Sequence, residues 1–261
     1  MKHISLFTGI GGFEIAAQRV WGDEYEPVLF CEMDKYCQKV LKKHWPDVPI
    51  VEDVRDVKRE QPYDAERTAL GFAPQGVRGG IDLLTGGFPC QPFSQAGEQK
   101  GTEDDRYLWP EMFGVIKAFR PNWVVAENVT AIDGVVLDNC IDDLETFGYE
   151  VAPPLEIPAC AVGAGHQRNR VWIIAHSECS GREGYKQDGG LQSSERAPHA
   201  EPGDPILSTW DQLGRCRGGL REGDGLSVWM VRSMVKAFGN AIVPAVAEQI
   251  FRAIKDSELR G

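Results

Sequence analysis

A cysteine held between two prolines is the first residue whose type and spacing suggest chemistry. Cys90 lies in the segment Gly86-Gly87-Phe88-Pro89-Cys90-Gln91-Pro92-Phe93-Ser94, directly after a predicted strand. Proline restricts its own backbone and that of the preceding residue, so we expect the thiol on a rigid loop. A structural cysteine more often lies among apolar neighbours inside a strand or helix. The setting predicts a nucleophile. With neither Cys nor His within four residues, metal ligation is disfavoured.

A carboxylate and two arginines complete the candidate catalytic residues. Glu127 ends the predicted strand 123–127, and a parallel sheet would bring it to the same edge as Cys90. Beside a nucleophile it is a candidate general acid, whereas alone it would more often be an exposed loop acid. Arg168 and Arg170 alternate along a segment expected to be extended, so both should point the same way and offer cations to a substrate. The alternative is a solvated basic strand end.

A glycine-rich loop and a later acid suggest a cofactor site. The loop Phe7-Thr8-Gly9-Ile10-Gly11-Gly12 joins the first predicted strand to the first helix, and Glu32 ends the second strand, 20 residues beyond Gly12. Glycines allow close approach of a ligand to helix-start N–H groups, and the acid can accept bonds from ribose hydroxyls. The alternative is a tight turn followed by a surface acid. Adjacent Gly11 and Gly12 depart from the nicotinamide spacing, and Phe7 can cover a base, which favours S-adenosylmethionine.

The elements that must position these residues follow from hydrophobic patterning. Short apolar runs alternate with helix-like stretches, which predicts an α/β fold with a mostly parallel sheet. We predict strands at 4–7, 27–31, 81–85, 123–127 and 171–175, and helices at 13–20, 35–44 and 109–119. Asp34 is the expected N-cap of the second helix. Apolar residues from Val243 to Ile254 recur at spacings of 3, 4 and 4, which predicts a C-terminal helix that packs back on the first domain.

Composition excludes several classes of protein. The chain has 261 residues, 42% hydrophobic and 26% charged, which is typical of a soluble globular protein and not of a disordered one. Its apolar stretches are too short to span a membrane, and the N-terminus reaches Gly9 too early to form a signal-peptide core. Seven cysteines without a Cys-X-X-Cys pair favour reduced thiols. We therefore expect a cytoplasmic protein that does not contact membranes.

The charge is unevenly distributed along the chain. The net charge is −11, yet residues 1–159 alone carry 15 Lys+Arg and 27 Asp+Glu, a net of −12. Residues 160–232 hold nine basic and nine acidic residues, and within them the stretch 176–227 contains 10 Gly. An acidic protein is an unusual nucleic-acid binder, but the basic footprint that such binding needs is local. The pattern predicts a small basic cleft on an acidic body.

Taken together, these motifs closely resemble the DNA (cytosine-5) methyltransferase family. The resemblance covers the chain except for roughly residues 176–225 and rests on six segments: 7–12 with Glu32, 52–57, Pro89-Cys90-Gln91, Glu127-Asn128-Val129, 166–170 and 239–244. Two positions depart from the family, which usually has Gln where His166 stands and commonly Pro where Gly165 stands. The resemblance implies a Rossmann-like S-adenosylmethionine-dependent methyltransferase fold. It also implies a catalytic domain at 1–175, a small target-recognition region at 176–227 and a returning C-terminal segment at 228–261.

The family resemblance implies a mechanism for the candidate catalytic residues. A cytosine is flipped out of the duplex, the Cys90 thiolate attacks its carbon 6, and carbon 5 takes the methyl group, which leaves S-adenosylhomocysteine. Glu127 is expected to hydrogen-bond or protonate ring nitrogen 3, a role that asks for a raised carboxyl pKa. Arg168 and Arg170 would steady the base and Glu127, with Arg170 matching the residue that reaches the cytosine carbonyl.

The same resemblance assigns residues to the cofactor and to DNA. Phe7 would stack on the adenine, Met33 would pack beside the ring, and Asp53 would accept a hydrogen bond from the adenine amine. Glu32 would hold the ribose, and Asn240 would complete the wall of the site. The loop glycines Gly9, Gly11 and Gly12 would lie beside these residues. The expected substrate contacts are Gln91, Ser94 and Asn128, together with Arg182, Lys186, Arg196, Arg215, Arg217 and Arg221 in the recognition region.

The expected partner is double-stranded DNA, bound by a monomer, with a cognate restriction endonuclease as a further candidate partner. No metal is expected, because the spacings of Cys160, His166, His176 and Cys179 fit no tight zinc pattern. Two alternatives remain open. One branch of the family resembles the rest yet methylates tRNA cytosine, and a non-catalytic DNA-binding regulator would keep only a vestigial site. Intact Cys90 and Glu127 argue against the regulator.

Overall fold

The site-forming part of the molecule is a twisted sheet with helices on both faces. The structure is a computed structural model that describes residues 1–57, 80–89, 107–165, 168–177, 237 and 240–260. Its strands are β1 (Lys2–Leu6), β2 (Glu26–Cys31), β3 (Ile50–Val51), β4 (Leu83–Gly86), β5 (Trp123–Val129), β6 (Tyr149–Val151), β7 (Leu155–Pro158) and β8 (Asn169–Ser177). Its helices are α1 (Gly12–Trp21), α2 (Lys35–His44), α3 (Trp109–Phe119), α4 (Gly134–Thr146) and α5 (Pro244–Arg260), with short 3₁₀ turns at Gly22–Glu24, Val54–Asp56 and Ala159–Val162.

The strand order places a switch point at the centre of the sheet. The order is β3-β2-β1-β4-β5-β8-β6, with β7 also paired to β8. Strands β1 to β5 run parallel, whereas β8 is antiparallel to β5, β6 and β7. Leu6 of β1 pairs with Cys31 on one side and with Gly86 on the other, so three strands end together. Ligands of open α/β sheets bind at such an edge, where the chain leaves neighbouring strands in opposite directions.

Two apolar layers hold the helices on the sheet. On one face, α3 and α4 contribute Trp109, Met112 and Cys140 to a core that includes Ile4 and Val124 of the sheet. On the other face, α1 and α5 pack together over the sheet. The Trp109 indole donates to Asp143 at 2.8 Å, which ties α3 to α4.

The opposite layer joins the two ends of the chain. Phe13 and Trp21 of α1 pack with Ile250 and Phe251 of α5 over the apolar face that Leu83 and Val125 present. Phe13 and Trp21 each lie in ring contact with Phe251, at centroid distances of 6.2 and 5.3 Å. The C-terminal helix therefore lies directly against the helix that follows the glycine loop.

Several predicted elements are confirmed. The α/β architecture with a mostly parallel sheet is present, and α2 and α3 have the predicted bounds. Asp34 caps α2, its side chain accepting from the backbone N–H groups of Tyr36 at 2.9 Å and Cys37 at 3.3 Å, a contact worth about 1 kcal/mol. The division of the chain at residues 175 and 227 stays a prediction, since most of the middle segment lies outside the described residues. Within the described part, no helix has the length and apolar composition to cross a bilayer.

Candidate active site

A large cavity opens at the carboxyl edge of the parallel strands. Its volume is about 780 Å³, within the range of about 300–1,000 Å³ that is typical of ligand sites. It lies over the ends of β1, β2, β4 and β5. Its walls are formed by the glycine loop, by the segments that follow β2 and β3, by the end of β5 and the start of β8, and by the segment that precedes α5. The lining residues include Phe7, Gly9, Gly12, Glu32, Met33, Asp53, Arg55, Glu127, Asn128, Arg170, Asn240 and Ile242.

The glycine loop is built by backbone conformations that few residues adopt. Phe7, Gly9 and Gly11 have φ angles of +53°, +61° and +89°. A positive φ at a residue with a large side chain is strained, and such strain is found at ligand sites where the surrounding structure enforces it. A Cβ on Gly11 would lie 2.7 Å from the Trp45 ring, and a Cβ on Gly12 would lie 2.7 Å from Cγ1 of Ile242. Both glycines are therefore required by close packing around the loop.

Glu32 is fixed by the loop that it faces. One carboxylate oxygen accepts the backbone N–H of Gly9 at 2.7 Å, and the other accepts that of Asp34 at 2.7 Å. A carboxylate has about four acceptor positions, so two backbone donors hold the group while leaving capacity for hydroxyl groups of a ligand. The predicted ribose-binding position thus lies in the cavity with its orientation already set.

The end of the cavity that is predicted to hold the adenine is formed by the segment that follows β3. Asp53 caps the turn Val54–Asp56, with Oδ1 accepting from the backbone N–H of Arg55 at 2.9 Å. Its Oδ2 lies 3.3 Å from Nη1 of the Arg55 side chain. Met33 is 70% exposed and lines the same end. An exposed apolar side chain at a cavity mouth can pack against a flat ring.

The C-terminal segment closes the cavity from the far side. Asn240 lines it, together with Ala241 and Ile242. Arg168 fixes this segment, because its Nη2 donates to the carbonyl oxygen of Ala241 at 2.7 Å. Arg168 has a φ of +26°, so the predicted extended backbone is wrong at Arg168, although the charges of Arg168 and Arg170 both act on Glu127. The turn lets Arg168 reach the C-terminal segment while β8 begins at Asn169.

Glu127 is a buried carboxyl at the wall of the cavity. Its side chain is 9% exposed, and Oε1 lies 2.7 Å from Nε of Arg170. Burial raises the pKa of the Glu127 carboxyl, and the positive charges of Arg170 and Arg168 offset only part of that rise. Burial in turn lowers the pKa of the Arg168 guanidinium, aided by nearby Arg170. The positive charges of both arginines thus act on the Glu127 carboxyl, although their backbones differ.

The loop that leads to the predicted nucleophile is anchored beside Glu127. Asn128 is 5% exposed, and its Nδ2 donates to the carbonyl oxygen of Phe88 at 3.0 Å. The backbone N–H of Leu108 donates to the carbonyl of Pro89 at 3.2 Å. A Cβ on Gly87 would lie 3.1 Å from Oε2 of Glu127. The residue that precedes Cys90 is therefore held at the edge where Glu127 lies.

Several predicted residues lie outside the described residues. They are Cys90, Gln91, Ser94, His166, Arg182, Lys186, Arg196, Arg215, Arg217 and Arg221, and their assignments stay predictions. Of the remaining candidates, the cavity brings together Phe7, Gly9, Gly12, Glu32, Met33, Asp53, Glu127, Asn128, Arg170 and Asn240. In the part of the chain that the structure describes, no group of three His, Cys, Asp or Glu is placed to hold a metal ion.

Two residues of the site were not predicted from the sequence. Arg55 lines the cavity and contacts Asp53, and Ile242 packs on Gly12. Each lies in a segment that carries the family resemblance, two residues after a predicted cofactor residue. That proximity is the signal that could have identified them.

Comparison with known proteins is consistent with this geometry. The model of the C-5 cytosine-specific DNA methylase family matches residues 1–199. The type II methyltransferase M.PspPI from Psychrobacter sp. (strain TA137) is 35% identical over 176 residues, covering 66% of this chain and 38% of the relative. M.HpaII from Haemophilus parainfluenzae is 31% identical over 184 residues, covering 68% of this chain and 46% of the relative. The chain thus spans less than half the length of these curated relatives.

A solved structure of similar fold aligns with nearly the full length of the chain. The Entamoeba histolytica methyltransferase EhMeth superposes with a TM-score of 0.63 at 13% identity, covering 98% of both chains. At that identity the likeness concerns the fold alone. The family model covers well over half of the residues, including the glycine loop, Glu32, Glu127 and Arg170. The chain belongs to the C-5 cytosine-specific DNA methylase family.

Proposed function

We propose that this protein transfers a methyl group from S-adenosylmethionine to carbon 5 of a flipped cytosine in duplex DNA. The observation that carries the proposal is the buried Glu127–Arg170 pair in the same cavity as the glycine loop and Glu32. A carboxyl that can be protonated lies in the same cavity as a site suited to a nucleoside. This arrangement suits a reaction in which a nucleobase receives a group from a nucleoside-containing cofactor. The family membership supports the same reaction class.

The residues present fit S-adenosylmethionine. Glu32, held by two backbone N–H groups, can accept from ribose hydroxyls, and Asp53 can accept from the adenine amine beside Met33. No side chain in the described residues caps the start of α1, so its first N–H groups can meet a carboxylate. When bound, the cofactor supplies an electrophilic methyl group on a positively charged sulfur, and its product is S-adenosylhomocysteine.

Glu127 and Cys90 share the chemistry on the cytosine ring. The Cys90 thiolate adds to carbon 6, which makes carbon 5 nucleophilic. A protonated Glu127 donates to ring nitrogen 3 and neutralises the negative charge that this addition creates. Its raised pKa keeps the acid form populated closer to neutral pH than for an exposed carboxyl. After methyl transfer, carbon 5 loses its proton and Cys90 is eliminated.

Arg170 can serve the base as well as Glu127. Its Nη1 donates to the Asn169 carbonyl at 2.8 Å, which fixes the guanidinium at the cavity wall. A fixed cation beside Glu127 can meet the cytosine carbonyl without reorganising during the reaction. Arg168 supports this arrangement from behind through the Ala241 carbonyl.

The proposal extends to partners and location. Double-stranded DNA is the proposed substrate, read by residues 176–227 and approached by Gln91, Ser94 and Asn128. We include a monomeric state, a cytoplasmic location and a cognate restriction endonuclease as candidate partner, a pairing that suits relatives named type II methyltransferases. No metal is assigned to the reaction.

The test is transfer of a labelled methyl group to unmethylated plasmid DNA and, separately, to tRNA, followed by bisulfite sequencing. We expect incorporation into DNA cytosines within one short sequence context. Robust incorporation into tRNA with none into DNA would overturn the proposal and favour the tRNA alternative. Loss of labelling in both, with retained DNA binding, would favour a non-catalytic regulator.

A matched pair of cysteine variants tests the nucleophile. Cys90→Ala should abolish turnover while S-adenosylhomocysteine still binds, because the cofactor contacts do not involve the thiol. Cys160, which is exposed, is the control: Cys160→Ala should keep wild-type turnover. Near wild-type activity in Cys90→Ala would remove Cys90 as the nucleophile.

A further inference from the structure

Asp53, at the end of the cavity that is predicted to hold the adenine, is held at both carboxylate oxygens by one residue. Oδ1 accepts the backbone N–H of Arg55 at 2.9 Å, and Oδ2 lies 3.3 Å from Nη1 of the Arg55 side chain. Both residues line the cavity. The backbone contact belongs to the turn Val54–Asp56 and does not need the side chain of residue 55. The guanidinium is therefore the contact that stops the carboxylate from turning about Oδ1.

The Arg55 side chain is itself held from behind the cavity wall. Its Nε lies 3.6 Å from Oε1 of Glu111, which lies in the first turn of α3 and is not a lining residue of the cavity. The other Glu111 oxygen, Oε2, is buried and has no hydrogen-bond donor among the described residues. A guanidinium presents its donors in a rigid plane, so contacts with two carboxylates fix its orientation. Helix α3 thus positions Arg55, and Arg55 positions Asp53.

The surroundings of Asp53 are acidic. Burial, followed by the negative charges of Glu32, Asp53 and Asp56, raises the pKa of the Cys31 thiol to about 12, so these three carboxylates lie near the same thiol. Like charges repel at short range, and this repulsion favours rotation of the partly exposed Asp53 side chain away from the other acids. The Arg55 cation opposes that rotation.

We propose that Arg55 is a positioning residue that makes Asp53 selective for a purine with a 6-amino group. The inference rests on the proposed function, in which Asp53 accepts a hydrogen bond from the adenine amine. An ionised carboxylate only accepts hydrogen bonds, so it pairs with a 6-amino group and repels the oxygen of a 6-oxo purine. A 6-oxo purine also carries an N1–H donor beside that oxygen. A carboxylate that is free to move can accept from N1–H instead, whereas one held in place cannot, and discrimination then follows from position.

The test compares binding of S-adenosylhomocysteine with that of S-inosylhomocysteine, in which a carbonyl oxygen replaces the 6-amino group. Calorimetry measures both Kd values, and their ratio is the readout. We expect the wild type to bind S-adenosylhomocysteine about tenfold more tightly. Arg55→Ala should reduce this preference to about two- to threefold, since the Arg55 and Asp53 side chains are close to half exposed and solvent screens their interaction.

Further variants test whether the effect comes from the position of Asp53. Arg55→Lys keeps the cation without the planar contact and should keep part of the preference. Glu111→Gln should reduce the preference by less than Arg55→Ala does. The double variant Arg55→Ala/Glu111→Gln should match Arg55→Ala, because Glu111 acts through Arg55. Arg252→Ala, which breaks a pair with Glu248 on α5, is the control and should keep the wild-type ratio. If Arg55→Ala does not fold, Arg55→Lys and Glu111→Gln provide the same comparison.

Three outcomes contradict the inference in distinct ways. If the wild type binds S-adenosylhomocysteine without preference over S-inosylhomocysteine, Asp53 does not select the amine, and the inference is wrong while the proposed function stands. If the Arg55 variants weaken both ligands equally, or lower only the melting temperature, Arg55 is merely structural and the inference is again wrong. If the wild type binds neither ligand, the proposed function itself fails, and the inference fails with it.

Discussion

At the scale of single residues, the proposed chemistry depends on a carboxyl that is both buried and paired. Glu127 has its pKa raised by burial although Arg170 lies 2.7 Å away. Desolvation therefore outweighs the nearby cation, so the acid form of Glu127 persists to higher pH than that of an exposed carboxyl. If the charge of Arg170 had outweighed the effect of burial on the pKa, Glu127 would remain a carboxylate, which cannot donate a proton.

Glu127→Gln should lower kcat by about 10²–10⁴-fold, because an amide can donate a hydrogen bond but cannot transfer a proton. Single-turnover methyl transfer at saturating cofactor measures this loss. Glu156→Gln, a change at an exposed acid, is the control and should have no effect. A loss below about threefold would rule out proton transfer by Glu127 in a slow step.

Arg170→Ala should move the alkaline limb of the kcat profile to higher pH. The activity needs protonated Glu127, so it falls as pH rises through the Glu127 pKa, and removal of a cation that lowers this pKa raises it further. Arg170→Lys retains the cation and should leave the limb closer to its original position, at reduced rate. A limb that shifts to lower pH, measured with initial rates from pH 6 to 10, would contradict this assignment.

At the scale of elements, the glycine loop is shaped by its contact with the C-terminal segment. The start of α1 lies so close to Ile242 that a single added carbon at Gly12 would overlap it. The helix that presents its N–H groups to the cavity is thus positioned from outside the loop. Its place is set by packing against residues from the other end of the sequence.

Gly12→Ala should destabilise the protein by about 1–3 kcal/mol, the cost of forcing extra volume into a packed contact, and weaken S-adenosylhomocysteine binding. Ile242→Ala should suppress both effects in the double variant by making room for the methyl group. Gly114→Ala is the matched control, because a Cβ at that helical position meets nothing within 4 Å. Urea unfolding and calorimetry measure the two effects, and a stable, tight-binding Gly12→Ala would contradict the packing argument.

Elements with strong periodicity were predictable from the sequence, and short or irregular ones were not. Helices α2 and α3 match their predicted bounds because Asp34 caps the first and apolar residues recur through the second. Helix α4 was missed although Val136, Cys140 and Leu144 recur at a spacing of four. Strand β3 has two residues and β7 lies largely exposed next to prolines, so neither has a pattern to detect.

The candidate site was predictable where motifs lie at strand ends and not where long-range packing decides. Glu32 and Glu127 follow from strand order, because the carboxyl ends of parallel strands meet. The left-handed backbone of Arg168 and its bond to Ala241 could not be inferred, since the partner lies 73 residues away. The same applies to the contact between Arg55 and Glu111.

At the scale of the whole molecule, a buried polar cluster lies beneath the glycine loop. Nδ1 of His3 contacts the Tyr25 hydroxyl and Nε2 contacts the Thr85 hydroxyl, each at 2.8 Å. Glu14 is fully buried, and neither carboxyl oxygen has a well-aligned partner among the described residues. The Ser5 side chain and the backbone of Glu14 lower its pKa by less than burial raises it. Burial raises the pKa of Glu14 to about 7 and lowers the pKa of His3 to about 3.

These two groups should give opposite pH dependences of stability. The contribution of Glu14 to the free energy of unfolding is fully present below about pH 4.5 and is lost as the pH rises to about 7. The contribution of His3 to the free energy of unfolding is fully present above about pH 6.5 and is lost as the pH falls toward 3. Between pH 4.5 and 6.5 the two slopes oppose each other. The wild type should therefore show a flatter profile than either single variant.

Glu14→Gln should reveal the loss of stability at acid pH that His3 causes. Relative to the wild type, its free energy of unfolding should rise by about 3 kcal/mol between pH 4.5 and 8, because the wild type alone suffers the ionisation of a buried carboxyl. Urea unfolding at both pH values measures the difference. Glu26→Gln, at an exposed position, is the control, and a pH-independent effect of Glu14→Gln would contradict the argument.

His3→Gln should reveal the loss of stability that Glu14 causes as the pH rises toward 7. Below pH 6.5 the variant should lose less stability than the wild type, by about 2 kcal/mol at pH 5, since it has no imidazole to protonate on unfolding. The reference is the difference between the two proteins at pH 8, where the imidazole is neutral in both states. A difference that stays constant from pH 8 to 5 would contradict a buried neutral His3.

The closure of the cavity by Ile242 and Asn240 has a consequence for synthesis of the protein. The glycine loop is translated before the residues that complete its wall, which follow 230 positions later. A nascent chain that has already formed β1 and α1 still lacks the far wall of the cavity. Completion of the cavity therefore waits for synthesis of the segment around Ile242, and we expect a chain that ends before this segment to bind S-adenosylhomocysteine weakly.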